Sequence, residues 1–152
     1  MALSQAVGLR GKVYGFDIQE VAIENTLALL KKNNSSDNVE LILDSHENID
    51  KHISHKLNFI IYNLGYLPKG DKSIRTSSTS SVISIKKALT LLDKNGLLAV
   101  TVYVGHPGGM DEKNSIEEIF KTLDQKEYNV LRYEFINQAN DPPVFYCIER
   151  VY

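Results

Sequence analysis

Apolar positions along the chain recur with two alternating periods. Lys12–Asp17 (KVYGFD) predicts a short strand that ends in a carboxylate. Val21, Ile23, Leu27, Leu29 and Leu30 then predict a helix from about Gln19 to Asn33, closed by Asn33, Asn34 and two serines. Val39–Leu43 predicts a second strand, again followed by an acid, Asp44, and a weak helix covers Glu47–Ile53. Leu57–Tyr62 (LNFIIY) is a nearly continuous apolar run, the pattern of a strand buried on both faces. A loop rich in Gly, Pro, Lys and Ser spans Asn63–Ser77, and a helix from about Ser80 to Leu92 runs into Asn95-Gly96, a helix stop. Leu97–Val104 predicts another buried strand, followed by the loop GHPGG and a helix from about Asp111 to Leu123. Tyr128–Ile136 and Val144–Val151 alternate, with NQANDPP between them as a hairpin connection.

The order β-α-β-α-β-α-β-α-β-β implies an α/β fold, a mostly parallel sheet with helices on both faces and one antiparallel strand from the terminal hairpin. No repeat, linker or low-complexity segment interrupts it, so residues 1–152 read as one domain. The 43% hydrophobic and 24% charged residues are ordinary for a globular protein. No apolar run approaches the roughly 18–20 residues that cross a bilayer. The start MALSQAVGLRGK lacks the pattern of a signal peptide, so the expected compartment is the cytoplasm. The one cysteine, Cys147, rules out an internal disulfide and sits where a buried, inert thiol is expected. A net charge of −2 gives no global pull toward nucleic acid. Lys69, Lys72 and Arg75 cluster in one loop, which either holds phosphates or is a solvated face.

Open parallel sheets bind ligands beyond the carboxyl ends of their strands. Polar or glycine-rich sequence follows strand after strand here, at Asp17–Gln19, Asp44–His46, Asn63–Pro68, Gly105–Gly109 and Asn137–Pro143, and all five are expected on one edge, able to line one cleft. Asp17 is placed to accept both ribose hydroxyls of an adenosine-containing cofactor; the alternative is a helix N-cap. Asp44, Ser45 and His46 favour the first reading, since they can meet an adenine edge. In Asn63–Pro68 an amide, a small residue, an aromatic ring and a proline suit a target amine: Asn63 can accept from the nitrogen and Tyr66 can pack on a base. The alternative is a tight turn that only closes the sheet. Asp71 and His106 are the nearest titratable groups, and an imidazole is the side chain suited to taking a proton near neutrality.

Together KVYGFDIQ, NLGYLPKGDKS, GHPGG and FINQANDPP resemble the bacterial rRNA methylase family, over essentially the whole chain. NLGYLPKGDKS and NQANDPP are the distinctive segments; the acid in FDIQ is common to many methyltransferases. Characterised members methylate the aminomethyl group of 5-aminomethyl-2-thiouridine at the tRNA wobble position. The resemblance implies a Rossmann-like class I methyltransferase sheet and S-adenosyl-L-methionine as methyl donor. It carries over Asp17, Gln19, Ser45 and His46 as cofactor contacts, and Asn63, Gly65, Tyr66 and Asp71 as cleft residues, with Asn63 and Gly65 also beside the cofactor. Family members begin with a strand, a GNGxDT-type loop and a helix before the KVYGFD strand, whereas Met1–Gly8 reads as only the tail of that helix. Roughly 20–35 residues are therefore expected to be missing, judged from typical element lengths.

The function these readings imply is N-methylation of 5-aminomethyl(-2-thio)uridine in tRNA, with tRNA as partner, a homodimer allowed and no membrane involved. The alternatives are an rRNA or small-amine methyltransferase of the same fold, or an inactive remnant that binds RNA or a partner.

Overall fold

A computed structural model of the chain describes residues 1–64 and 78–152. The described chain divides into two compact units, residues 1–48 and 49–152.

The first unit is a β-α-β turn with a short leading helix. Helix α1 (Ala2–Val7) precedes strand β1 (Val13–Asp17), helix α2 (Glu20–Lys32) and strand β2 (Val39–Leu43). The strands pair in parallel, Val13 opposite Val39 and Asp17 opposite Leu43. Glu20 in the first turn of α2, and Lys31 and Lys32 in its last, complement the helix dipole. The helix stops where Asn34 takes a left-handed φ of 49°, a conformation asparagine tolerates better than most residues. Ser4 and Asn38 tie α1 to the approach of β2: Ser4 Oγ donates to Asn38 Oδ1 at 2.6 Å, and Asn38 Nδ2 donates to the Ser4 and Gly8 carbonyls at 3.0 and 2.9 Å.

In the second unit, helix α3 (Ile49–His52) leads into strand β3 (Leu57–Leu64), and helix α4 (Ser78–Leu91) into strand β4 (Leu92–Val102). Helix α5 (Gly109–Lys121) and strands β5 (Tyr128–Tyr133) and β6 (Val144–Arg150) complete it. The sheet order is β3-β4-β6-β5. β3 and β4 are parallel, and β6 runs antiparallel to both of its neighbours, β4 and β5. The terminal hairpin thus folds back so that its second strand lies inside the sheet. Asn140 and Asp141, at φ 69° and 49°, turn the chain between the two strands.

One face of this sheet carries the core. Ile60, Tyr62 and Leu64 of β3 stand opposite Leu98, Val100 and Val102 of β4, which stand opposite Ile148, Tyr146 and Val144 of β6. Ile85, Ala88 and Leu89 of α4 and Ile116 and Phe120 of α5 close over them. The buried positions of α4 are 81, 84, 85, 88 and 89, a stripe of helical period. Each fully buried aliphatic side chain contributes about 1.5–3 kcal/mol relative to exposure.

Four expectations change in detail. LNFIIY is not buried on both faces: Phe59 and Ile61 are 46% and 53% exposed, because among the described residues α4 and α5 cover only the face of their even-numbered neighbours. β3 runs on to Leu64, so Asn63 lies within the strand, paired with Thr101, rather than starting a loop. Helix α4 stops at Leu91, ahead of Asn95-Gly96, because Leu92 already pairs with Leu57. Cys147 is half-buried, on the sheet face opposite the core.

Candidate functional site

The strand-end residues of the first unit gather at one edge. Asp17 closes β1 in register with Leu43, so Asp44 follows immediately on the neighbouring strand. Asp17 Oδ1 accepts the Gln19 backbone N–H at 2.8 Å. The N-cap of α2 is Gln19 itself, with no side-chain capping bond, so Asp17 bends the chain into the helix without capping it. One carboxylate oxygen is thereby oriented by the backbone. Asp44 is similarly organised: its Oδ1 accepts from the Ser45 N–H at 2.7 Å and from Asn48 Nδ2 at 2.8 Å. Ser45 Oγ accepts the Glu47 N–H at 3.4 Å, and His46 opens the short turn His46–Asn48. A carboxylate ending one strand and an Asp-Ser-His turn ending the next form a donor and acceptor set suited to a ribose and a purine edge.

In the second unit Asn63 is exposed on the face opposite the core, one residue from the buried Tyr62. The ends of β3 and β4 are joined by the Tyr103 N–H donating to the Leu64 carbonyl at 3.3 Å. The GHPGG loop then turns tightly into α5. Gly108 has φ 87°, and a β-carbon on Gly109 would meet the Tyr103 carbonyl oxygen at 2.5 Å and Val104 Cα at 3.0 Å. Both glycines are therefore required, one by conformation and one by close approach. His106 Nδ1 lies 3.1 Å from the Pro107 carbonyl oxygen, which can only accept, so this contact places the proton on Nδ1. His106 Nε2 is buried. Gly65, Tyr66 and Asp71, and the cations Lys69, Lys72 and Arg75, lie outside the described residues.

Two buried polar systems escape apolar-periodicity reasoning. Tyr62 and Ser84 hydroxyls share a 2.6 Å hydrogen bond, and burial pushes the Tyr62 phenol up to about 12. Glu117 accepts from Tyr146 Oη at 2.7 Å and from Arg132 at 3.0 Å, and pairs with Lys113 at 3.3 Å. Burial opposes the Glu117 charge, but the hydrogen bonds from Tyr146, Arg132 and Lys113 outweigh it and hold the carboxyl at about 2. Burial and the neighbouring carboxylate together raise the Tyr146 phenol well above its usual range. A further acid, Glu112, is buried against Ser81. Its signal was present in the sequence: Glu112, Ile116 and Phe120 are spaced by four, so the acid lies on the apolar stripe.

Parallel strands with polar carboxyl-terminal turns, a central strand returning antiparallel and an acid at the end of β1 define a Rossmann-like class I methyltransferase fold. Residues 13–149 match the family described as "Putative rRNA methylase", and the chain belongs to it. A chloroplastic tRNA (mnm(5)s(2)U34)-methyltransferase of Arabidopsis thaliana is 31% identical over 155 residues, covering 99% of this chain and 57% of its own length. The chain thus spans little more than half of that curated relative. The crystal structure of an rRNA methylase of this description from Clostridium thermocellum is 44% identical, with a TM-score of 0.94 over 97% of this chain and 80% of that one. A methyltransferase of Streptococcus mutans, solved in complex with SAH, is 39% identical, with a TM-score of 0.84 over 91% and 76%. Among the described residues, no helix is long and apolar enough to cross a membrane.

Proposed function

We propose that the protein is an S-adenosyl-L-methionine-dependent RNA methyltransferase that N-methylates 5-aminomethyl(-2-thio)uridine at the tRNA wobble position. The observation that carries this reading is the 31% identity along 99% of the chain to a relative named for that tRNA nucleotide. The residues present suit the cofactor: Asp17 would accept the ribose hydroxyls, with Gln19, Ser45 and His46 beside the nucleoside. When bound, the cofactor supplies an electrophilic methyl group. What remains for the protein is alignment and a deprotonated amine. Asn63, exposed at the end of β3, would accept a hydrogen from the target nitrogen through its amide oxygen and so orient the lone pair. Gly65 would allow close approach, Tyr66 would stack on the uracil, and Asp71 or His106 would take the proton.

The test is methyl transfer from labelled cofactor to tRNA bearing the unmethylated aminomethyl nucleoside, read by nucleoside mass spectrometry. The methylated wobble nucleoside is expected; label in ribosomal RNA alone would move the assignment to the second reading, which the family description itself favours. Asp17→Asn separates ligand from structural roles. It should weaken cofactor binding about tenfold or more, through loss of the charge facing two hydroxyls, at a stability cost under about 1 kcal/mol. Unchanged affinity per folded molecule would remove Asp17 from the cofactor site.

A further inference from the structure

Glu112 is 1% exposed, yet it is a carboxylate in the first turn of α5. Ser81 Oγ, itself fully buried in the first turn of α4, donates to Glu112 Oε1 at 2.5 Å. One acid thus joins the amino-terminal turns of two helices of 14 and 13 residues, where backbone dipoles favour negative charge. Its own backbone is tied to the preceding loop: the Glu112 N–H donates to the Gly108 carbonyl at 3.0 Å, and the Gly109 N–H to the His106 carbonyl at 2.9 Å. One turn further along α4, on the same side, Ser84 hydrogen-bonds Tyr62, the residue next to Asn63. Two buried side-chain contacts therefore connect the end of β3, the start of α4 and the start of α5 in series. Helix α4 begins directly after residues 65–77, and α5 begins on the last glycine of GHPGG.

We propose that Glu112 is a positioning residue, a buried clamp through Ser81 that sets where α4 and α5 begin and so holds Asn63 and the His106 loop in working register. It touches neither substrate nor cofactor. The inference rests on the methyltransferase reading for its catalytic consequence, but its structural content stands apart from turnover. A buried carboxylate with a hydroxyl partner is costly unless satisfied, and an apolar residue at this point in the stripe would fill the same space. The joint it makes accounts for an acid at this place in the stripe.

The full chain and its Glu112→Ala, Glu112→Gln, Ser81→Ala and Glu112→Ala/Ser81→Ala forms test this. In single-turnover methylation of tRNA, Glu112→Ala should slow transfer about tenfold with KM changed less than about twofold, the mark of lost alignment. Glu112→Gln, whose amide oxygen still accepts from Ser81, should recover most of the rate. The double variant should be no slower than Glu112→Ala, since both changes break the Ser81–Glu112 contact. Hydrogen exchange supplies the second readout: Glu112→Ala should speed exchange at amides 79–84 and 108–112 while leaving β6 protected, and Glu112→Gln should reverse this. A wild-type chain that methylates no RNA would overturn the functional reading, and the exchange data alone would then decide the clamp. Unchanged exchange in Glu112→Ala, or a rate loss that merely follows the folded fraction in every variant, would overturn it.

Discussion

The two faces of the β3-β4-β6-β5 sheet both carry large apolar residues, and these meet different fates. On one, Ile60, Leu98, Val100, Tyr146 and Ile148 are sealed beneath α4 and α5. On the other, Phe59 and Ile61 of β3, Leu97 of β4, and Leu131 and Tyr133 of β5 stand exposed around Ala99 and Cys147. Leu131 is 60% exposed. The faces differ in polar fittings as well as in cover. The covered face carries Tyr62 bonded to Ser84, and Tyr146 and Arg132 bonded to Glu117, so each helix is pinned in rotation as well as attracted by area. Apolar surface drives burial without direction; the hydrogen bonds select one register.

The sharpest way to break this comparison is to cut the same volume from both faces. Leu98→Ala, on the sealed face, should cost roughly 2–5 kcal/mol by leaving a cavity. The same cut at Leu131 should cost well under about 1 kcal/mol, since little is buried there. Chemical denaturation of both variants measures the gap, and equal losses would show that the second face is covered in solution.

Acid probes the ionic pin next. Glu117 is held at about 2 against an ordinary 4.5, so its network contributes fully above pH 4.5 and is lost as pH falls through 2. The pH-dependent part should amount to no more than about 3 kcal/mol, and Glu117→Gln should flatten the stability profile across that window. Urea midpoints taken from pH 6 to pH 2 read it directly; an unflattened profile would assign the acid sensitivity to other carboxylates.

Removing the neutral pin should have a smaller effect. Tyr62→Phe keeps the ring but removes the hydroxyl that bonds Ser84, at a cost of about 1–2 kcal/mol. Ser84→Ala should add little to that loss, because both changes break the same Tyr62–Ser84 contact; thermal denaturation of the single and double variants checks it.

The smallest expected effect concerns the open face itself. Ile61→Ser should change stability by no more than about 0.5 kcal/mol while reducing binding of a hydrophobic fluorescent dye to the native protein. Dye binding that is absent from the start would mean this face is occupied in solution.

Alternating periods in the sequence were enough to identify which segments are strands and helices, because side chains repeat every two residues in one and every 3.6 in the other. They also placed Asp17 and Asp44 at the ends of one pair of strands, and Asn63 and Gly105–Gly109 near the ends of another, since a β-α-β chain brings successive carboxyl ends to one edge of each sheet. Periodicity could not say which face of LNFIIY would be covered, as both halves of the run are apolar. Nor could it end β3 at Leu64 or start β4 at Leu92, because strand length is settled by the partner's hydrogen bonds. Only the packed structure decided that β6 would lie between β4 and β5, and that Ser81 and Glu112, 31 residues apart, would meet in the core. Local preference depends on neighbours along the chain, whereas a buried polar contact exists only once distant elements have excluded water around it.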